Sequence, residues 1–163
     1  MSLSSKIPAS LPVWHPAFLI STWFGAGLLP VAPGTWGSAA ALPFAWLIVA
    51  LGGQWALLGA SLAAFIIGIW AAEIYGRRSG LKDASPIVID EVAGQWLTLV
   101  PAPLDPLIYL AGFLLFRAAD IVKPWPANWA DRSLDGGLGV MLDDVFAGLY
   151  AAGALFAVTW VLA

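Results

Sequence analysis

The stretch QWALLGASLAAFIIGIWAAEIY, residues 54–75, decides the fold. Glu73 is its only charged residue. A helix of that length extends roughly 33 Å at about 1.5 Å per residue, enough to cross the hydrocarbon core of a bilayer. Its surroundings share its character: of 163 residues, 61% are apolar and only 10% charged, and the mean hydropathy is +0.87. The composition predicts an integral membrane protein. The length suits one domain, residues 1–163, with neither repeat nor interdomain linker.

Working outward, Gly52-Gly53 reads as a tight turn after a shorter helix, 39–51. Before that, FLISTWFGAGLLPVAPGTWGS (18–38) is apolar but broken by glycine and proline. It predicts a membrane-embedded loop or broken helix that enters a regular helix near Ser38. Such backbone persists in a membrane only when buried in protein or lining a wet cavity. Pro8, Pro12 and Pro16 bar a long helix over residues 1–17. On the C-terminal side, helices are expected at 87–100, 107–122 and 141–162, separated by a turn at 101–106 and a polar, glycine-rich loop at 127–139. The expected fold is therefore all-α: a polytopic membrane bundle of about five hydrophobic helices, some short or broken.

Arg77, Arg78 and Lys82 share one loop, Lys123 and Arg132 another, and the turns at 52–53 and 101–106 carry no Lys or Arg. Basic loops stay on the cytoplasmic side. Alternating helices then place the N-terminus inside, the C-terminus outside, and Asp90, Glu91, Asp120, Asp143 and Asp144 together at the cytoplasmic face.

Those five carboxylates carry the functional signal. An ionised carboxylate beside hydrocarbon is costly without a partner, so five at the ends of apolar segments point to a shared one. A hard divalent cation, Mg²⁺, suits an all-oxygen donor set. Asp90-Glu91 and Asp143-Asp144 each read as opening a helix, where acids also favour the macrodipole. Adjacent acids project about 100° apart, so one of each pair can bind metal while the other orients water or ligand. Gly94 and Gly148, four residues after Asp90 and Asp144, suit close helix approach.

Asp120 sits three residues from both Arg117 and Lys123. The arrangement reads either as an intrahelical ion-pair ladder or as cations reaching a phosphate while Asp120 reaches the metal. In PGTWGS (33–38), Gly34, Thr35 and Ser38 lie just ahead of the expected helix, where free N–H groups suit an anion. No Lys follows the glycines in Walker A fashion. Ten tryptophans read as interfacial anchors, Trp23, Trp36, Trp125 and Trp129 among them, and so does His15, the single histidine.

Composition also excludes chemistry. Without cysteine there is no thiolate nucleophile, thiolate metal site or disulfide. The net charge of −3 with no basic run excludes nucleic acid as a partner. The first 17 residues lack a charged segment followed by a long apolar one, so a cleaved signal is not expected.

Four segments in order, FGAGLLPVAPGTWGS (24–38), IVIDEVAGQWLTL (87–99), FRAADIVKPWPANWAD (116–131) and GGLGVMLDDVFAG (136–148), give the chain its resemblance to the phosphatidylglycerophosphatase A family of bacterial membrane lipid phosphatases. The likeness runs from about residue 18 to 155; the 76–86 loop resembles the family less and carries no catalytic assignment. The resemblance implies Mg²⁺-dependent hydrolysis of phosphatidylglycerophosphate to phosphatidylglycerol and phosphate, at the bacterial inner membrane. From the residues themselves, the expected nucleophile is a metal-activated water, with an aspartyl-phosphate as the alternative. The catalytic and metal candidates are Asp90, Glu91, Asp120, Asp143 and Asp144. The phosphate-binding candidates are Gly34, Thr35, Ser38, Arg117 and Lys123. A transporter for a small anion or cation would also carry intramembrane acids, but near the midplane and with access from both sides. A CDP-alcohol phosphotransferase would show a long Asp-rich run that is missing.

Overall fold

No long helix forms before Pro16 among the described residues, and Pro16 itself starts a short one. In a computed structural model that describes residues 7–81 and 84–162, helix α1 (Pro16–Ser21) begins with Pro16 in its first turn, where the missing N–H costs nothing. His15 caps it, its Nδ1 accepting from the Ala17 N–H at 3.1 Å, and stacks on Trp70. A short 3₁₀ turn, Ala26–Leu28, follows. Helix α2 then runs Pro33–Ser79, starting five residues earlier than Ser38. The PGTWGS segment is thus the first turn and a half of a helix rather than a loop before it, again because proline is at home at the first helical position.

Gly53, at φ 74° and ψ −177°, breaks α2. Residues 31 apart in one straight helix would stand about 47 Å apart. Yet Gly37 lies against Val88, and Gly68 lies against both Ile89 and Met141. The chain must therefore reverse at Gly53, and α2 is a hairpin of two antiparallel limbs, 33–52 and 54–79. A left-handed φ makes glycine the natural residue at this turn.

Helix α3 (Ile89–Leu99) is the centre of the molecule. It packs on α2 and α6, and nine of its eleven residues are buried. Two hydrogen bonds tie it across helix boundaries: Trp96 Nε1 donates to the Ala41 carbonyl at 2.9 Å, and Ser61 Oγ donates to the Ala93 carbonyl at 2.8 Å. Helix α4 (Pro106–Val122) starts at a proline behind Asp105, whose carboxylate accepts from the Leu107 and Ile108 N–H groups. Helix α5 (Ala127–Ser133) occupies part of the expected 127–139 loop. Helix α6 (Gly136–Leu162) begins five residues before the expected Met141. The reason is a remote cap: the Glu73 carboxylate of α2 accepts the Gly137 N–H at 2.7 Å.

Among the described residues the chain has six α-helices and no strand. Two helices are long and apolar enough to cross a membrane, Pro33–Ser79 and Gly136–Val161, against about five hydrophobic helices expected. With 11 and 17 residues, α3 and α4 are too short to pass, and the first helix is a hairpin. Large apolar side chains face outward along the bundle, Leu51, Leu62, Ile66, Leu114 and Phe156 among them, as a lipid environment requires. Trp36, Trp125 and Trp129 are exposed, but Trp23 is drawn inward against Phe44 and Trp96 and is not a surface anchor. Arg77 and Arg78 lie in the last turn of α2, Lys123 is the C-cap of α4, and Arg132 lies in the last turn of α5; Lys82 lies outside the described residues.

Candidate functional site

The topology gathers five helix segments at one end of the bundle: the start of α2, the start of α3, the last turn of α4, α5, and the first turns of α6. Between them lies a cavity of about 200 Å³. Asp90, Glu91, Asp120, Asp143 and Asp144 all line it, as do Gly34 and Lys123. So do Ser85, from the 76–86 loop that carried no catalytic assignment, and Ile87.

Carboxylate oxygens of Asp90, Glu91 and Asp144 lie within 4.8 Å of one another. Such proximity follows from how α3 meets α6. A Cβ on Gly94 would stand 2.6 Å from the Asp144 carbonyl oxygen, and one on Gly148 would stand 2.7 Å from the Gly94 carbonyl oxygen. The two backbones touch, and Thr98 Oγ1 spans them, between the Gly94 and Gly148 carbonyls. Asp90 and Glu91 occupy the first turn of α3. Asp143 and Asp144 lie two turns into α6, whose first turn has no acid. The expectation that this second pair opens a helix is therefore corrected, and the macrodipole does not account for it.

Two cations act as struts. Arg117 Nη1 pairs with Asp120 at 2.6 Å, approaches Glu91 at 3.9 Å, and donates to Ser38 Oγ at 3.4 Å. Ser38 Oγ in turn donates to the Gly34 carbonyl at 2.9 Å. One guanidinium thus ties α4 to α3 and to the first turn of α2. Gly34 leaves the space for this: a Cβ there would overlap Glu91 Oε1 and stand 3.2 Å from Arg117 Nη1. Lys123, the C-cap of α4 at φ 47°, donates to Asp143 at 2.6 Å and to Asp131 at 2.9 Å, tying α4 to α6 and α5. Burial works against the charge on Lys123, but the hydrogen bonds and charges of Asp143 and Asp131 outweigh it and raise its pKa above the ordinary lysine value.

Of the phosphate-binding candidates, Gly34 and Lys123 face the cavity, whereas Thr35, Ser38 and Arg117 do not line it. Ser38 and Arg117 stand behind it as supports. Asp131 is the acid that sequence reading missed. It lies eight residues past Lys123, beyond Pro124 and Pro126, where helical periodicity gives no hint of contact. Gln95, one turn below Glu91, was also passed over; it is fully buried, and its amide has no hydrogen-bond partner among the described residues.

Six carboxylates, Asp131 included, surround two cations. That excess of negative charge and the all-oxygen donors fit a hard divalent ion. Oxygens around Mg²⁺ stand roughly 3–4.2 Å apart at about 2.1 Å from the metal, so the Asp90–Glu91–Asp144 group needs little closure to hold one. Glu91 Oε2 is buried without a hydrogen-bond partner among the described residues, as a ligand atom would be.

Comparison with known proteins agrees. Residues 19–159 match the family Phosphatidylglycerophosphatase A. The chain is 40% identical over 153 residues to the phosphatidylglycerophosphatase A of Escherichia coli strain K12, covering 93% of this chain and 86% of the relative. It is 37% identical over 150 residues to the protein of the same name from Haemophilus influenzae, covering 91% and 92%. A Bacteroides thetaiotaomicron relative, 37% identical over 170 residues and covering 96% of this chain and 99% of its own, is provisionally named a phosphatidylinositol-3-phosphatase. No solved structure matches.

Proposed function

This chain belongs to the phosphatidylglycerophosphatase A family, and on that premise we propose that it hydrolyses the terminal phosphomonoester of phosphatidylglycerophosphate in a Mg²⁺-dependent reaction at the cytoplasmic face of a bacterial inner membrane. The observation that carries the reading is the convergence of five carboxylates, Lys123 and the start of α2 on one cavity. The provisional name of the Bacteroides relative also denotes a lipid bearing a terminal phosphate, so the shared chemistry is the phosphomonoester rather than one headgroup.

Asp90, Glu91 and Asp144 would hold the ion, which supplies a Lewis acid and eases ionisation of water. Lys123 lines the cavity and offers a charged donor to a phosphate oxygen. The first turn of α2 presents its outward N–H groups beside it, a setting that favours an anion. Arg117 positions Glu91 and Asp120 rather than touching substrate. Asp120 and Asp143 remain for proton transfer: one takes a proton from water as the water oxygen bonds to phosphorus, the phosphorus–oxygen bond to the lipid breaks, and that proton passes to the departing alkoxide. A diester has fewer free oxygens and less charge for this clamp. For the transporter alternative, acids gathered at one end of the bundle offer no support.

The test follows both phosphate release and the lipid products formed by the purified protein in mixed micelles, comparing phosphatidylglycerophosphate with phosphatidylglycerol, with Mg²⁺ and with chelator. Phosphate from the monoester alone, and only with Mg²⁺, is expected. Equal cleavage of both lipids, or undiminished turnover in chelator, overturns the reading.

A further inference from the structure

The first limb of α2 and α4 run antiparallel and in register. Near the cavity, Ser38 meets Arg117. Eight residues further along each helix, Trp46 meets Tyr109 edge-on at 5.1 Å between ring centres. Both intervals correspond to about 12 Å. Gly34, Ser38, Leu42 and Trp46 recur every four residues and share one face of the limb. On α4, Asp120, Arg117, Phe113, Leu110 and Pro106, spaced by three and four residues, likewise share one face. Along this shared face the chemistry passes from charged to hydroxyl to wholly apolar.

The apolar end of this face borders a groove. Leu42, Pro43, Trp46, Pro106, Tyr109 and Leu110 surround a groove of about 390 Å³ that opens on the outer surface. Its lining includes a proline from each helix. Where lipid surrounds the bundle, such a void must be filled by something apolar.

We propose that this groove seats an acyl chain of the substrate lipid. The inference rests on the lipid-phosphatase reading above and adds the subsite for the tail. The occupant is set by position. With the terminal phosphate beside Gly34 and Lys123, the groove begins at Leu42, eight residues and about 12 Å further along the same face, on the side to which the lipid's chains extend. The groove therefore does more than anchor the lipid: it contributes to binding in proportion to chain length.

Leu110 is half exposed, so Leu110→Trp fills the groove from outside with little disturbance of the core. For long-chain (dioleoyl) phosphatidylglycerophosphate in mixed micelles, KM should rise about tenfold, with kcat within about twofold; changes of a few methylenes in apolar sites have effects of that order. Dihexanoyl phosphatidylglycerophosphate should be hydrolysed as by the wild type. Ile66→Trp, on the outward face of the second limb, should change neither substrate. An unaltered KM for the dioleoyl lipid, or an equal rise for both lipids, overturns the proposal. A second readout does not depend on turnover. Phosphatidylglycerol carrying a diazirine in its acyl chain should label peptides containing residues 42–46 and 106–110, in competition with unlabelled dioleoyl phosphatidylglycerophosphate. Labelling spread evenly round the bundle, or indifferent to competitor, identifies bulk lipid and overturns it. If the wild type hydrolyses neither substrate, the phosphatase reading falls, while competed labelling still decides whether the groove holds a chain.

Discussion

Gly94→Ala should strike activity harder than stability. The added methyl would stand 2.6 Å from both the Asp144 carbonyl oxygen and the Phe116 ring. Ordinary carbon contacts begin near ~3.5 Å, so α3 and α6 must separate by about 1 Å. Overpacking of that kind costs roughly 1–3 kcal/mol. The separation also moves Asp90 and Glu91 away from Asp144, carboxylates whose oxygens lie within 4.8 Å of one another. A displacement near ~1 Å in a reacting constellation can cost about a hundredfold in rate. Initial rates of phosphate release over a Mg²⁺ titration, with thermal unfolding followed by circular dichroism in the same detergent, give both quantities. Gly153→Ala is the matched control: it lies further along α6, and a Cβ there meets nothing within 4 Å. The expectation is a loss of about a hundredfold for Gly94→Ala, a modest drop in melting temperature, and near-normal behaviour for Gly153→Ala. Wild-type turnover in Gly94→Ala would refute the reasoning that the α3–α6 contact sets the site.

Lys123→Ala should lower activity on lipids of every chain length and destabilise the fold by roughly 1.5–3 kcal/mol, because Asp143 loses its cation; adding Asp143→Asn should restore stability but not turnover. The Lys123 pKa is raised on folding, so its contribution is complete below the unfolded value near ~10.4 and fades only as pH rises through the higher folded value. Asp105→Ala removes the cap at the far end of α4 and should cost about 1 kcal/mol of stability while sparing kcat; a large loss of kcat would show that this end is coupled to the site. For orientation, the cysteine-free chain makes labelling clean: Leu81→Cys should resist an impermeant reagent in intact cells and Gln54→Cys should react, and the opposite pattern would reverse the topology.

What could be read from the sequence was whatever depends on local composition. Residues 54–75 announce a span by length and apolarity, and Gly52-Gly53 announces the turn at which α2 folds back. The five carboxylates were identifiable because charge is rare here, and all five do line one cavity. What escaped depends on contacts distant in sequence. Residues 136–139 resemble a flexible loop in isolation; they form the start of α6 because Glu73, 64 positions earlier, accepts the Gly137 N–H. The Pro33 start of α2 was hidden by glycines that look like a loop, though Gly34 serves to admit Glu91 beside the helix. Asp131 was hidden behind two prolines. Arg117 and Lys123 looked interchangeable by spacing, and only the packing shows that Arg117 stands behind the cavity while Lys123 lines it.

The central claim is that Asp90, Glu91 and Asp144 form the ion-binding heart of a lipid phosphatase. It is tested most directly by the Mg²⁺ dependence of phosphate release from phosphatidylglycerophosphate in wild type, Asp90→Asn and Asp144→Asn, each shown to be folded. The account predicts saturable Mg²⁺ activation in the wild type and loss of most turnover in both variants at every Mg²⁺ concentration. Near-normal Mg²⁺-dependent turnover in both variants would contradict it.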